Sequence, residues 1–486
     1  MKPPPAPLPL PPAILLSLSL LSLIGARAEG QLSFTVLHSF QGGLDGQQPQ
    51  AALVQAADGI LYGTTYMGGS NNAGTIFKVN PDGSGNTPIY HFPKNPYNPG
   101  GLSDPSGLIQ ATDGALYGAS GGGGDGWGAV FRLNTDGTAY TNLHVFSTLR
   151  GGGYQPSAAL VQARDDNLYG TTMFGGAYAL GTVFKLAPDG SGFAQLHSFG
   201  AKGDAQQPMA PMIQGLDGFL YGTTCDGGAS AANGASGYGA VFKMDTNGAI
   251  ETVLHSFLPS GGDGQYPFGG LVQGPDGTLY GVTQQGGSTS SGGSSGYGTV
   301  FKIGPDGSGY AILHSFDPAV GGDGDYPWPG LVIGNDGALY GTADRGGGSN
   351  DDGVVFRLNP DGSGYTILYT FGTATSDGSH PRAPLVRARD GGLFGTAQFG
   401  GDLNYGTLFR LAPAPARIAL LSAAPGRPPQ LSLTGAPHFA YRVEASTDHI
   451  HWTVLTNFLN SAGVMHFSDP DAPKFPMRFY RAAWVP

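Results

Sequence analysis

Leu271-Val-Gln-Gly-Pro-Asp-Gly-Thr-Leu-Tyr-Gly-Val-Thr283, then Gly286-Gly287, then Gly298-Thr-Val-Phe-Lys-Ile303, then Leu313-His-Ser-Phe316, is the stretch that decides the fold. The chain carries this unit seven times. Its Tyr-Gly step falls at Tyr62, Tyr117, Tyr169, Tyr221, Tyr280 and Tyr340, and as Phe-Gly at Phe394. Intervals of 52 to 60 residues between these steps indicate a β-propeller or a similar array of supersecondary units.

Each unit divides into four strand candidates. The first centres on Leu53, Leu108, Leu160, Met212, Leu271, Leu331 and Leu385, and the second is the Leu-Tyr-Gly step. The third ends on Phe77, Phe131, Phe184, Phe242, Phe301, Phe356 and Phe409. The fourth ends on Phe40, Phe92, Phe146, Phe199, Phe257, Phe316 and Phe371. All are short, rich in aromatic and β-branched residues and bounded by Gly, Pro or Asp-Gly, as strands and hairpins require. The order is shifted. Leu37-His-Ser-Phe40 precedes any complete unit, and Phe409-Arg-Leu411 is followed by Ala-Pro-Ala-Pro instead of a fourth strand. The N-terminal strand is therefore expected to complete the last unit, because a closed ring leaves only short, protected edges. The predicted fold is all-β: a seven-bladed β-propeller over residues 29–412, closed by strand 32–40, then a Pro/Ala linker at 413–416 and a small β-sandwich over 417–486.

Spacing separates two faces. From the first-strand Leu or Met to the Tyr-Gly step is nine residues in every unit, and from third-strand to fourth-strand Phe is fifteen. The other two connections vary in length. One face should hold fixed tight turns and the opposite face variable loops, where binding sites usually sit.

Composition bounds the class. The 486 residues include 85 Gly and 12% charged residues, and regular aromatic anchors turn that glycine content into tight-turned β structure. Residues 1–28 read as a secretory signal peptide: Lys2, the apolar stretch Ala13 to Ile24, then Ala26-Arg27-Ala28 as a small-x-small cleavage site. A secreted location, extracellular or at the cell surface, is expected, with no membrane insertion after cleavage. Cys225 is the single cysteine, so no intrachain disulfide forms. The formal net charge of −11 with no basic run excludes nucleic acid and anionic lipid as partners, since both need clustered Lys or Arg. Residues 417–486 lose the repeat and alternate, as in Tyr441-Arg-Val-Glu-Ala-Ser, which suits a fibronectin III- or immunoglobulin-like sandwich serving as a stalk, a cap or an attachment module.

The repeated Asp-Gly-x-Leu-Tyr-Gly-Thr-Thr and Gly-Gly…Gly-Thr-Val-Phe-Lys-Leu segments, across roughly residues 32–411, resemble the Gloeobacter/Verrucomicrobia tandem repeat of secreted bacterial proteins. The blade layout is also similar to kelch repeats, without their tryptophan pattern. Tyr441-Arg-Val-Glu-Ala-Ser-Thr-Asp, Trp452 and Phe479-Tyr480-Arg481 look like the sandwich module that ends many such proteins. The resemblance implies an extracellular location and no established catalytic residues.

Several motifs have plain structural readings. His38, His91, His144, His197, His255 and His314 recur on the fourth, outermost strand, too spread to converge on one zinc ion. Asp82, Asp189, Asp306 and Asp361 in Pro-Asp-Gly-Ser-Gly are turn residues without the run of oxygens a calcium loop needs. Gly68-Gly69 and Gly175-Gly176 open no helix and are not phosphate loops. No metal site, cofactor or catalytic residue is assigned.

The residues before each Gly doublet behave differently. They read Tyr66-Met67, Met173-Phe174, Cys225-Asp226, Gln284-Gln285, Asp344-Arg345 and Gln398-Phe399. Scaffold positions should repeat, whereas a single site should not. Units four and five also have lengthened second-to-third loops, Ala229–Tyr238 and Ser288–Tyr297, and nearby crossovers add Asp263, Tyr266, Phe268, Asp323, Asp325, Tyr326 and Trp328. Aromatic faces beside polar groups suit sugar rings. The candidate binding residues are Asp226, Gln284, Gln285, Asp344, Arg345, Tyr266, Phe268, Asp325, Tyr326 and Trp328. The expected activity is recognition of an extracellular glycan or protein by a monomer. A polysaccharide hydrolase or lyase using a carboxylate pair from Asp226, Asp344 and Asp325 is the enzymatic alternative, and a structural surface protein without a small ligand is the third.

Overall fold

The computed structural model describes residues 32–485 apart from 95–104, 123–125, 149–151, 202, 230–236, 250, 260–261, 289–295, 375, 414–415, 423–426, 436–438 and 461–462. The signal-peptide segment, part of the linker and most of both lengthened loops lie outside the described residues. Two compact units emerge, one formed by Thr35–Arg389 with Leu393–Arg410, the other by Leu411–Pro486 with Asp390–Gly392 and the residues up to Phe34. Among the described residues no helix is long and apolar enough to cross a membrane.

The larger unit is a series of four-stranded antiparallel sheets, numbered here one to seven in chain order. Sheet five shows the pattern: Val272–Gln273, Leu279–Thr283, Thr299–Ile303 and Ala311–Ser315 pair in sequence order. Sheets one to six share this order. In sheet seven, Val386–Arg387, Leu393–Ala397 and Thr407–Pro413 are joined by Leu32–Ser39 as the outer strand, and Phe40 donates its N–H to the Gly406 carbonyl at 3.0 Å.

The repeat's residue types follow from packing. The Leu-Tyr-Gly-Thr-Thr strand is buried along its whole length, so it is covered on both faces and reads as a continuous run instead of alternating. Its glycine is set by close approach. A Cβ on Gly281 would stand 2.5 Å from Cζ of Phe301, and the equivalent glycine of every sheet has the same third-strand Phe against it. The preceding Tyr reaches back to its own hairpin: Tyr221 Oη donates to Asp217 Oδ2 at 2.7 Å, as Tyr62 does to Asp58 at 2.9 Å. Five sheets lock the turn in this way, and in sheet seven, where Phe394 has no hydroxyl, Asp390 still closes the turn by accepting from Gly392 N–H at 2.9 Å, so the spacing of nine is kept.

The Gln of Leu-Val-Gln joins neighbouring sheets. Gln110, Gln162, Gln214 and Gln273 each accept, at 2.6–2.8 Å, a backbone N–H from the first turn of the preceding sheet. Gln55 of sheet one does the same to Arg389 of sheet seven, at 2.7 Å. Apolar cores likewise bridge consecutive sheets. One holds Tyr169, Val183 and Phe199 of sheet three with Leu220, Phe242 and Met244 of sheet four, and another unites Phe40, Phe394 and Leu408 with Leu53, Leu61 and Phe77. Each fully buried Phe contributes roughly 1.5–3 kcal/mol, so the junctions carry most of the hydrophobic stabilisation.

The smaller unit contains two three-stranded antiparallel sheets. Arg417–Ser422, Gln430–Thr434 and Val464–Ser468 form one, and Thr453–Asn460, Phe439–Ser446 and Phe479–Val485 the other. Leu431, Leu433, Tyr441, Val443, Ala445 and Tyr480 are buried where they face each other. Buried Asp469 is matched by Arg478 Nε at 2.8 Å and Tyr480 Oη at 3.1 Å.

A candidate binding face built at one register

The two variable connections of each unit meet. The residues before the Gly doublet pair with the crossover from the preceding sheet, adding a two-residue ribbon beside each of sheets three to six and a single bridge, Gln47 to Met67 and Ser379 to Phe399, at sheets one and seven. Asp226 lies opposite Gln206, Gln285 opposite Gln265 and Arg345 opposite Asp325. The same positions hold the aromatic pair Phe174 and Tyr154 at sheet three. The positions that vary from unit to unit are thus cross-strand partners and vary as pairs.

The next residue always precedes a proline and, among the described residues, has left-handed backbone: Gln48, Gln155, Gln207, Tyr266, Tyr326 and His380 have φ between 51° and 58°. This is costly for a residue with a side chain, and more so before proline, where extended backbone is favoured. A pair of hydrogen bonds offsets the cost. Tyr326 N–H donates to the Tyr297 carbonyl at 2.9 Å, and its own carbonyl accepts from Asp344 N–H at 3.1 Å. Tyr266 makes the same two bonds with Tyr238 and Gln284, and His380 with Asp352 and Gln398. The strain repeats, so it belongs to the scaffold; its effect is to aim the residue after the proline.

That residue changes around the series: Gln50, Ser106, Ser157, Met209, Phe268, Trp328 and Arg382. In sheets five to seven it becomes a ladder. The Phe268 and Trp328 rings are stacked with centroids 4.5 Å apart and planes 9° apart. The Arg382 guanidinium lies 5.8 Å from the Trp328 centroid. Arg382 Nε also donates to Asp344 Oδ1 at 2.9 Å, and His380 Nδ1 lies 3.1 Å from the Asp344 backbone oxygen and 3.5 Å from its Oδ1. Arg345 stands over the Tyr326 ring at 5.2 Å.

The carboxylates of this group are held in opposite states. Asp344 is buried, which favours its neutral form, but hydrogen bonds from His380 and Arg382 bring its pKa below the usual carboxyl range. The same contact raises His380. Asp325, also buried, is pushed up to about 7 by desolvation first and by the Asp351 carboxylate next, with Arg345 opposing. Its Oδ1 has no hydrogen-bond partner. Burial raises Asp226 as well, and Asp226 contributes to raising the Tyr266 hydroxyl. Beside it, burial pushes the Cys225 thiol up to about 12, so this cysteine is an inert packing group.

Phe268, Asp325, Tyr326, Trp328, Asp344 and Arg345 therefore form one continuous cluster across sheets five and six. Tyr266, Gln284, Gln285 and Asp226 extend it toward sheet four through backbone and cross-strand contacts. Sequence reasoning missed His380 and Arg382. The signal was present, since His380-Pro381-Arg382 stands in the register of Tyr266-Pro267-Phe268 and Tyr326-Pro327-Trp328.

The motifs set aside on sequence grounds have visible structural work. Asp306 Oδ1 accepts from Ser308 N–H at 2.9 Å and from its hydroxyl at 2.6 Å, closing the turn; Asp82 and Asp361 do the same with Ser84 and Ser363. His38, His197, His255 and His314 each pair through Nε2 with a crossover aspartate, Asp45, Asp204, Asp263 and Asp323, at 2.9–3.2 Å.

Comparison with known proteins gives a family. No curated protein matches the chain. Among solved structures it is similar to an ulvan lyase, from a polysaccharide lyase family, with 12% identity, a TM-score of 0.45 and coverage of 85% of this chain and 92% of that one. It is similar to a protein of unknown function from Dyadobacter fermentans, with 11% identity, a TM-score of 0.40 and coverage of 78% and 98%. TolB from Acinetobacter baumannii follows at 11% identity and a TM-score of 0.36, covering 60% of this chain and 58% of TolB. The family model described as Gloeobacter/Verrucomicrobia repeat matches residues 95–292 and 233–441, more than half of the chain. The chain belongs to the Gloeobacter/Verrucomicrobia repeat family.

Proposed function

We propose that this protein is an exported, monomeric recognition module: a closed seven-bladed β-propeller carrying a small β-sandwich, which binds an extracellular glycan or protein on the face formed by its crossovers and second-to-third loops. The Phe268–Trp328–Arg382 ladder carries this reading. It occupies a register whose scaffold part repeats while its side chains do not, and it sets aromatic surface beside a salt-bridged carboxylate. Apolar C–H faces and hydroxyl donors of a sugar match such a surface, and aromatic and Arg residues are also the usual anchors of protein interfaces. Ring closure is supported by the Leu32–Ser39 strand in sheet seven and by Thr396 Oγ1 donating to the Pro49 carbonyl at 3.2 Å.

The decisive experiment is a polysaccharide array scored for retention and for new reducing ends. Retention without cleavage supports the binding module. Neither signal would leave the protein-partner and purely structural readings, to be separated by cross-linking on the producing cell. N-terminal sequencing of secreted material tests export; an intact Met1 on a cytosolic product would overturn it.

One observation favours a second reading, a polysaccharide hydrolase or lyase. Asp325 is raised to about 7 while neighbouring Asp344 is held ionised, and carboxyl groups pushed apart in pKa are the basis of acid/base pairs. New reducing ends that vanish in both Asp325→Asn and Asp344→Asn would establish that chemistry.

A further inference from the structure

A second register position, six residues before the fourth-strand Phe, closes the junction between consecutive sheets on their outer strands. It is filled by Phe34, Asn86, Tyr140, Phe193, Glu251, Tyr310 and Tyr365. In most junctions a planar group here lies on the ring presented by the preceding sheet: Phe193 on His144, Tyr310 on His255 and Tyr365 on His314, with centroids 3.5–3.7 Å apart. Tyr310 and Tyr365 also donate their hydroxyls to Asp263 and Asp323, the aspartates that hold those histidines. Asn86 donates to Asp45, the partner of His38, at 2.8 Å. Asn86, Tyr310 and Tyr365 are thus donors to a crossover aspartate, while Tyr140 stacks on Tyr90 with centroids 4.0 Å apart and donates to Asn142 Oδ1.

Glu251, at the junction of sheets three and four, is the one acidic occupant. It brings a carboxylate to a place already holding the Asp204 carboxylate. His197 Nε2 lies 3.1 Å from Asp204 Oδ2, and ligand atoms of His197, Asp204 and Glu251 all lie within 4.8 Å of one another. Asp204 is 7% exposed, and Glu251 Oε1 is buried with no hydrogen-bond partner. Burial and the Asp204 charge push Glu251 up to about 7. The two carboxylates repel each other as ions, and a divalent cation held by both of them and by the neutral imidazole relieves that repulsion. Bonds of 2.0–2.2 Å at tetrahedral angles put ligand atoms about 3.3–3.6 Å apart around one ion, so the three side chains need draw in by no more than about 1.5 Å to close on it. The imidazole favours a transition metal over calcium or magnesium.

We propose that His197, Asp204 and Glu251 bind one divalent transition metal ion of the zinc or manganese class, which clips sheet three to sheet four where the other junctions use an aromatic ring or an amide. This goes beyond the recognition reading and shares no residue with that face. Sequence analysis assigned no metal because the recurring histidines do not converge on one another; the set forms from one histidine, its crossover aspartate and a single departure from the repeat.

The test uses the full mature chain stripped with chelator, titrated by calorimetry with Zn2+, Mn2+ and Ca2+, with melting followed in parallel. One equivalent of Zn2+ or Mn2+ should bind and raise the melting temperature, with Ca2+ at least tenfold weaker. Glu251→Gln should weaken binding at least tenfold. Glu251→Tyr, which restores the aromatic occupant, should abolish binding yet melt no lower than the metal-free parent, showing that the loss is not misfolding. Binding unchanged in Glu251→Gln would overturn the proposal. So would a parent that binds no ion and loses stability in Glu251→Gln, which would mean that the carboxylate is matched by a neighbouring amine or a shared proton.

Discussion

Phe268 and Trp328 lie parallel with ring centroids 4.5 Å apart, although they enter from the crossovers of two different sheets. A strained left-handed residue before proline, Tyr266 in one case and Tyr326 in the other, sets each ring at the same height of its unit. The pair is therefore pre-ordered, and little side-chain entropy remains to be lost when a ligand settles against it.

Trp328→Ala should weaken retention of the cognate glycan or partner by at least about tenfold, equivalent to about 1.4 kcal/mol. Phe268→Ala should cost a similar amount, and the double variant less than the sum, because the rings support each other. Affinity chromatography or calorimetry on the ligand retained by the array reads this. Equal losses from Asp306→Ala, on the fixed-turn side, at unchanged stability would show that the wrong face has been chosen.

Stability should depend on pH through Asp325. Its folded-state pKa is raised to about 7, above an unfolded value of about 3.9. The folded protein therefore holds the proton more tightly. The stabilising contribution is complete below the unfolded pKa and is lost as pH rises through the folded one. Asp325→Asn keeps the neutral shape, so its melting-temperature advantage over the parent should widen between pH 4 and about pH 7 and then level off. A gap independent of pH would show that the Asp325 carboxyl is solvated.

Gly281→Ala should destabilise the larger unit by about 1–3 kcal/mol, the usual cost of overpacking, because its Cβ would meet the Phe301 ring at 2.5 Å. Denaturant unfolding checks it. Partial rescue by Phe301→Leu would identify the ring contact as the cause.

Removing residues 29–40 should strip the outer strand from sheet seven and Phe40 from the core it shares with Phe77 and Phe394. The trimmed protein should melt well below the parent. Equal melting temperatures would rule out closure by the N-terminal strand.

The strands, their number and the two kinds of connection were legible in the sequence because each depends on local chemistry repeated seven times. A glycine must face the third-strand Phe, an Asp must close its turn, and in five of the seven sheets the Tyr after it reaches that Asp. The spare Leu37-His-Ser-Phe40 was legible for the same reason, as a fourth strand lacking its unit. What a repeat cannot announce is which non-repeating side chains meet. Asp325 and Arg345 are cross-strand partners, Arg382 of sheet seven joins Trp328 of sheet six, and Glu251 of sheet four faces Asp204 and His197. These neighbours come together only when consecutive sheets pack side by side. Their protonation states then follow from burial and from charges brought in from another unit, quantities that exist only in the folded chain.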